Sequence, residues 1–258
     1  MYRTIAAIAR FLYRKANHIV VVSPAFKDRL VRYWQVPEEK ISVVENGVET
    51  DLFRFEPAAF EIRTQLSLEN RFLICYIGTL GMAHGLQTLI AAAEKLQTAL
   101  PSALFLLIGE GAERKAMADL AAARGLTNLR FLGQQPRERI PVHISASDIC
   151  LVMLKRNDLF KTVIPTKLLE YMACERPVIV AVDGQARQMV EDAGAGVFVE
   201  PEDSDALVHA ILDLAANPQQ RQSMGSNGRK YIVSRFTRER TAQDYLAVLN
   251  KVINARKR

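Results

Sequence analysis

Hydrophobic positions in this chain come in short blocks, separated by longer stretches whose apolar residues recur at helical spacing. HIVVVS (18–23), ISVVEN (41–46), RFLICYIG (71–78), ALFLLIG (103–109), LRFLG, SDICLVML, RPVIVAV and GAGVFVE are rich in β-branched and aliphatic residues and predict strands. AFKDRLVRYW, GLQTLIAAAEKLQTAL, ERKAMADLAAARG, PTKLLEYMA and SDALVHAILDLAAN lie between or after them and predict helices, with a long helical tail closing the chain. Strands that are apolar almost throughout, rather than alternating, are those buried on both faces of a parallel sheet. The pattern therefore predicts an α/β fold with a Rossmann-like, doubly wound parallel sheet, and a ligand at the carboxyl ends of its strands. A polar stretch around residues 49–70 interrupts the rhythm, and the chain has no internal repeat or low-complexity segment.

Composition narrows the class. At 258 residues, 49% hydrophobic and 24% charged, the chain matches a globular enzyme. It has no apolar run of membrane-span length and no secretory leader pattern. Cys75, Cys150 and Cys174 sit in apolar surroundings without metal-ligand spacing and read as buried thiols of a reducing compartment. The net charge of +6 is concentrated partly in the two ends, MYRTIAAIARFLYRK and NARKR. No zinc spacing, RNA motif or dense basic helix points to nucleic acid, so anionic substrates or an anionic membrane leaflet account for the charge better.

Three segments carry candidate chemistry. In YIGTLGMAHGL (76–86), Gly78, Gly81 and Gly85 fall at a strand-to-helix turn, where backbone amides can approach a phosphate. The spacing is neither that of a dinucleotide fingerprint nor that of a P-loop, and a plain chain reversal is the alternative. FLLIGEGAERK (105–115) repeats the pattern more weakly, with Gly109 and Gly111. In FKTVIPTKLLEYMACERPVIV (160–180), Pro165 suits a helix start, and Leu168, Leu169, Met172 and Ala173 would face the sheet. Lys167, Glu170 and Cys174 would then share the other face. A lysine in a first helical turn opposes the helix dipole, a conflict that a bound anion would relieve. A solvent-exposed Lys–Glu pair is the alternative.

The order IxVVxNGVExDLF, YIGTLGMAHGL, FLLIGEGAER, FLG, PTKLLEYMACERPVI and GAGVFVEPEDSDAL resembles the retaining family-4 glycosyltransferases of the GT-B fold, from about residue 10 onward. Within them it looks like the bacterial O-antigen and capsule branch, including N-acetyl-L-fucosamine transferases. The resemblance implies residues 1–50 as the tail of an N-terminal acceptor domain and 51–70 as an interdomain linker. It implies 71–227 as the nucleotide-sugar donor domain, and 228–258 as a helix crossing back to the first domain. Glu170 then bonds the donor ribose, while Gly78, Thr79, Gly81, His84, Thr166 and Lys167 surround the diphosphate. Thr79 and His84 stand where many members have Arg and Lys, and Thr162 stands where a Glu contacts the donor sugar. The family also implies a nucleotide diphosphate sugar as substrate, UDP-linked by analogy with the branch, with no cofactor and no metal. The acceptor would be a lipid-linked saccharide for surface polysaccharide, and the location cytoplasmic or the inner face of a membrane. Residues 1–50 would pair with the rest of their domain or with another chain, and the donor part alone would bind without turnover. A non-catalytic nucleotide-sugar-binding protein and a nucleotide-sugar epimerase or hydrolase stay open as alternatives.

Overall fold

The computed structural model describes residues 2–256; Met1, and Lys257 and Arg258 of the basic C-terminus, lie outside the described residues. The chain opens with α1 (Tyr2–Lys15), β1 (Ile19–Val21), α2 (Pro24–Trp34) and β2 (Ile41–Val43). Both strands are shorter than the apolar runs that predict them. They pair only with each other, in parallel, over a small core of Val21, Leu30, Val36 and Ile41.

After α3 (Ala59–Gln65) the strand–helix alternation is regular. It runs β3 (Phe72–Ile77), α4 (Leu86–Ala99), β4 (Ala103–Ile108), α5 (Arg114–Ala123) and β5 (Leu129–Gly133). It continues with α6 (Ile140–Ala146), β6 (Ile149–Met153), α7 (Thr166–Ala173), β7 (Val178–Ala181), α8 (Gln185–Ala193), β8 (Gly196–Phe198) and α9 (Ser204–Ala216). The six strands form one all-parallel sheet in the order β5-β4-β3-β6-β7-β8.

This is the doubly wound sheet that the continuous apolar runs predict. Ile74 and Tyr76 of β3 join one core with Phe105, Leu107 and residues of α4 and α9. Cys75 and Ile77 turn to the other face and join Leu106, Ile108 and residues of α7 and α8. With period-two alternation, both sets must be apolar for both faces to be covered. All three cysteines are buried free thiols. The strand order reverses between β3 and β6, and the crevice above that reversal is where open α/β sheets take ligands.

The tail, expected as one helix, is two: α10 (Pro218–Arg235) and α11 (Arg238–Arg256). The break has a hydrogen-bonding cause. The Val48 N–H donates to the Phe236 carbonyl at 2.9 Å, and the Arg238 N–H donates to the Val48 carbonyl at 3.1 Å. Two crossing segments are thereby pinned together as a parallel bridge, which a continuous helix would forbid. Arg229 of α10 adds a second tie, donating to the carbonyls of Phe53 (2.7 Å) and Ala173 (3.0 Å). Ser23 supplies a third. Its hydroxyl accepts from the Phe26 N–H as the α2 cap and donates to the Thr162 carbonyl at 2.6 Å. Among the described residues no helix is long and apolar enough to cross a membrane.

The two sheets differ in how many neighbours protect their backbone groups. Amides of residues 19–21 and 41–43 are expected to exchange with deuterium faster than those of 72–77 and 103–108. Equal protection in a dilute sample would mean that the small sheet belongs to the same cooperative unit as the large one.

Candidate functional site

β3 ends at Gly78, whose φ of +136° falls where L side chains are strained. Space excludes a side chain there as well. A Cβ on Gly78 would lie 2.6 Å from the Lys167 Nζ, so the glycine is the seat of the lysine ammonium.

Lys167 reaches that seat because α7 is bolted to the end of β3. The buried Tyr171 hydroxyl accepts from the Ile77 N–H at 2.8 Å and donates to the Ile77 carbonyl at 3.2 Å. Leu168, Leu169, Met172 and Ala173 are buried, as their spacing predicts. Cys174 is a correction. Expected on the outer face with Lys167 and Glu170, it is fully buried in the core beneath α7. It follows the last helical residue, so the helical period no longer sets its direction.

The exposed Lys–Glu pair is likewise overturned. The Lys167 Nζ is shut off from solvent, lies 3.9 Å from the Tyr76 ring centroid, and has no hydrogen-bond partner among the described residues. Burial brings its pKa down to about 7, against the pull of Glu170. Burial raises the pKa of Glu170 in turn, opposed by Arg137, Lys167 and Arg238. At the positive end of a helix, the Lys167 ammonium thus meets a ring face and the field of Glu170 but, among the described residues, no hydrogen-bond acceptor.

The two glycine loops divide the work. Gly109 and Gly111 are packing positions: a Cβ on either would strike the carbonyl of Gly78 or Leu80 at 2.1 or 2.2 Å. Their closeness lets the second loop carry sheet pairing past the strand ends, with Gly78 N–H to the Ile108 carbonyl (2.8 Å) and Leu80 N–H to the Glu110 carbonyl (2.9 Å). Since alternate N–H groups of an extended chain point to opposite sides, the Thr79 N–H faces away from that loop. Gly81 stands one step behind the cavity. Its carbonyl receives the His84 N–H at 3.0 Å and lies 3.3 Å from the His84 Nδ1. Burial, and then Lys167, lower the His84 pKa, which favours the neutral ring, packed edge-on to Tyr76.

Around Lys167 opens a cavity of about 430 Å³. Of the residues singled out from the sequence, Gly78, Thr79, His84, Thr166, Lys167 and Glu170 line it. Thr162 does not. Its hydroxyl donates to the Leu159 carbonyl at 2.7 Å, and its own carbonyl serves Ser23, so the residue packs the following turn against α2.

The structure adds a cation the sequence reading missed. Arg137 lines the cavity with Gln134 and Gln135, stacks over the Phe53 ring at 5.2 Å, and approaches Glu49 at 3.3 Å. The signal for it was present: Arg137 follows a strand of the sheet, at the carboxyl end where ligands bind. Among the described residues no cluster of His, Cys, Asp or Glu is grouped to hold a metal ion.

Comparison with known proteins supports the fold. Residues 59–231 match the family described as glycosyl transferases group 1, and residues 1–52 match glycosyltransferase family 4. The α-D-kanosaminyltransferase of Streptomyces kanamyceticus is 25% identical over 248 residues, covering 95% of this chain and 62% of its own length. Sucrose-phosphate synthase from Thermosynechococcus elongatus superposes with a TM-score of 0.84 at 26% identity, over 98% of this chain and 62% of that one. HepE of Anabaena, solved in complex with UDP and glucose, gives 0.86 at 23% identity, over 97% of this chain and 67% of that one. The chain thus spans 62% of the length of curated relatives it matches. With the doubly wound sheet of a GT-B glycosyltransferase and a family match over most of its length, the chain belongs to the group 1 glycosyl transferases.

Proposed function

We propose that residues 71–227 form a donor domain whose cavity takes the diphosphate of a nucleotide sugar, UDP-linked, for retaining transfer of a hexosyl or N-acetylhexosaminyl group. One observation carries this reading: the buried Lys167 ammonium beside Gly78 has no partner among the described residues. As the bond from the anomeric carbon to the diphosphate breaks, negative charge grows on the leaving oxygens. Lys167, the Thr79 N–H and the start of α7 are the groups that would receive it, with no cofactor or metal assigned a part. Glu170 is suited to the ribose hydroxyls, and Arg137 adds the positive charge that Thr79 and neutral His84 do not supply. The UDP and glucose bound by HepE support the choice of nucleotide. A lipid-linked acceptor and a role in surface polysaccharide belong to the same proposal.

Membrane contact from the cytoplasmic face is part of it too, supported by α1. That helix has no acidic residue and exposes Ile5, Ile8, Phe11 and Leu12 beside Arg10, Arg14 and Lys15. Such a face suits an anionic bilayer. A non-catalytic nucleotide-sugar binder is the second reading, favoured by Thr162, which is committed to packing where relatives place a sugar contact. Release of free nucleotide from donor without acceptor would instead favour a hydrolase or epimerase.

Calorimetry is the first test. The chain is expected to bind UDP, and Lys167→Ala to weaken binding by about 1.5–3 kcal/mol, the range for a hydrogen bond to a charged group. Unchanged affinity in the variant would remove Lys167 from the site.

The pKa of Lys167 gives the second. The groups facing its ammonium are Tyr76, Cys75, His84 and Glu170, and burial holds its pKa at about 7. A bound diphosphate favours the charged form, so binding takes up a proton and affinity falls as pH rises above about 7. Titrations near pH 8, in buffers of different ionisation enthalpy, should report that uptake in the parent and not in Lys167→Ala. Proton release on binding would contradict it.

For the membrane, co-sedimentation with phosphatidylglycerol vesicles is expected, weakening with salt and with Phe11→Glu. Equal binding to neutral phosphatidylcholine vesicles would argue against the charged contact.

A further inference from the structure

At the opposite end of the large sheet lies a second polar crevice, of about 400 Å³. It opens where β6 and β7 begin, between Asp148, Arg176 and Phe55 on one side and Arg221 and Gln222 of α10 on the other. β3, which runs from that end to the Lys167 cavity, is six residues long, so the two openings are separated by about 20 Å at the usual rise per strand residue. We infer that this crevice is a binding site for a small oxyanion, a phosphate group borne by a small molecule or inorganic phosphate itself.

Two guanidinium groups are held there in fixed planes. Arg176 lies over the Phe55 ring at 5.1 Å, and Arg221 over the Phe72 ring at 5.1 Å. Stacking fixes a guanidinium's plane and leaves its edge, which carries the donors, to be satisfied by something else. For Arg176 nothing among the described residues does so. Its Nε is shut off from solvent with no hydrogen-bond partner among the described residues. Arg221 places one nitrogen on the carbonyls of Leu214 and Ala215, which fixes its position at the end of α9.

No salt bridge involves either arginine among the described residues. The carboxylate inside the crevice is half engaged: the Asp148 Oδ2 accepts from Arg63 at 2.5 Å and from the Leu73 N–H at 2.8 Å, while its charge also acts on Arg176. Glu175 is exposed at the rim, so the two guanidinium groups face one carboxylate shared with Arg63 and one in solvent. The start of α10 also borders the crevice through Pro218. Its cap residue Asn217 gives that helix no side-chain acceptor and donates instead to the Asp213 carbonyl. An uncapped helix start, an orphaned buried Nε and a second arginine fork at one opening form a donor set matched to a tetrahedral oxyanion.

The inference does not rest on the nucleotide reading. Its test is the Nε–H resonance of Arg176, followed by nitrogen-15 NMR in the full chain, first without and then with excess UDP. Inorganic phosphate should shift that resonance saturably, beyond any effect of chloride at equal ionic strength. Arg221→Gln should weaken the response about tenfold, as expected when a charged hydrogen bond is lost. Tighter binding of a hexose 1-phosphate would identify a phosphorylated sugar as the ligand, and equal binding would identify the phosphate group alone. Three results would overturn the inference: no saturable shift, a shift unchanged in Arg221→Gln, or a phosphate response that excess UDP abolishes. The last would assign the anion to the Lys167 cavity. Should Arg176→Gln fail to fold, Arg221→Gln still decides.

Discussion

The site depends on one buried hydroxyl. Tyr171 hydrogen-bonds both the N–H and the carbonyl of Ile77, so the first turn of α7 cannot shift along β3 without stranding a polar group in the core. Lys167 lies one turn before Tyr171, and the same bolt therefore carries its ammonium under Gly78 and over Tyr76. Left to itself a lysine would swing into water. Here the backbone of its helix is fixed and Gly78 leaves it just enough room, so it stays buried, with no hydrogen-bond partner among the described residues.

The second constraint is backbone proximity. Gly109 and Gly111 are in contact with the first loop's own carbonyls, and that contact turns a flexible glycine turn into an extension of the sheet. It consumes the N–H groups of Gly78 and Leu80 and orients that of Thr79. Two loops that look equivalent in sequence thus have different tasks, one meeting the cavity and the other holding the first in place.

The two sheets are joined by polar ties at the crossings rather than by a shared apolar core. Arg229, the Val48–Thr237 bridge and the Ser23–Thr162 bond each use backbone carbonyls as acceptors. The same crossing also buries Val48, Phe53 and Phe236 in the core of the large sheet. Glu49 lies within 3.3 Å of Arg137 and 3.6 Å of Arg238, so the crossing segments also touch the cavity wall electrostatically.

The fold was legible in the sequence because its signal is local. A strand such as FLICYI, apolar at every position, has no solvent-facing side to offer, and only a sheet covered on both faces accepts it. The dipole conflict at Lys167 was legible for the same reason, since it needs only a helix start and a charge. Whether that lysine lay in water or in the protein was not legible, because the answer came from Tyr171 bonding Ile77 across 94 residues of chain, with Gly78 leaving room for the ammonium. Cys174 was misjudged on similar grounds, since spacing assigned it to an outer face and the core took it. Thr162, which the resemblance sets at a sugar contact, packs toward α2 outside the cavity lining. Arg137 reached the cavity by the course of the loop after β5, which no periodicity records. Sequence determined which segments had to be buried and where charge was uncomfortable; only the tertiary structure decided which neighbours answered that charge, because burial and hydrogen bonding depend on residues distant in the chain.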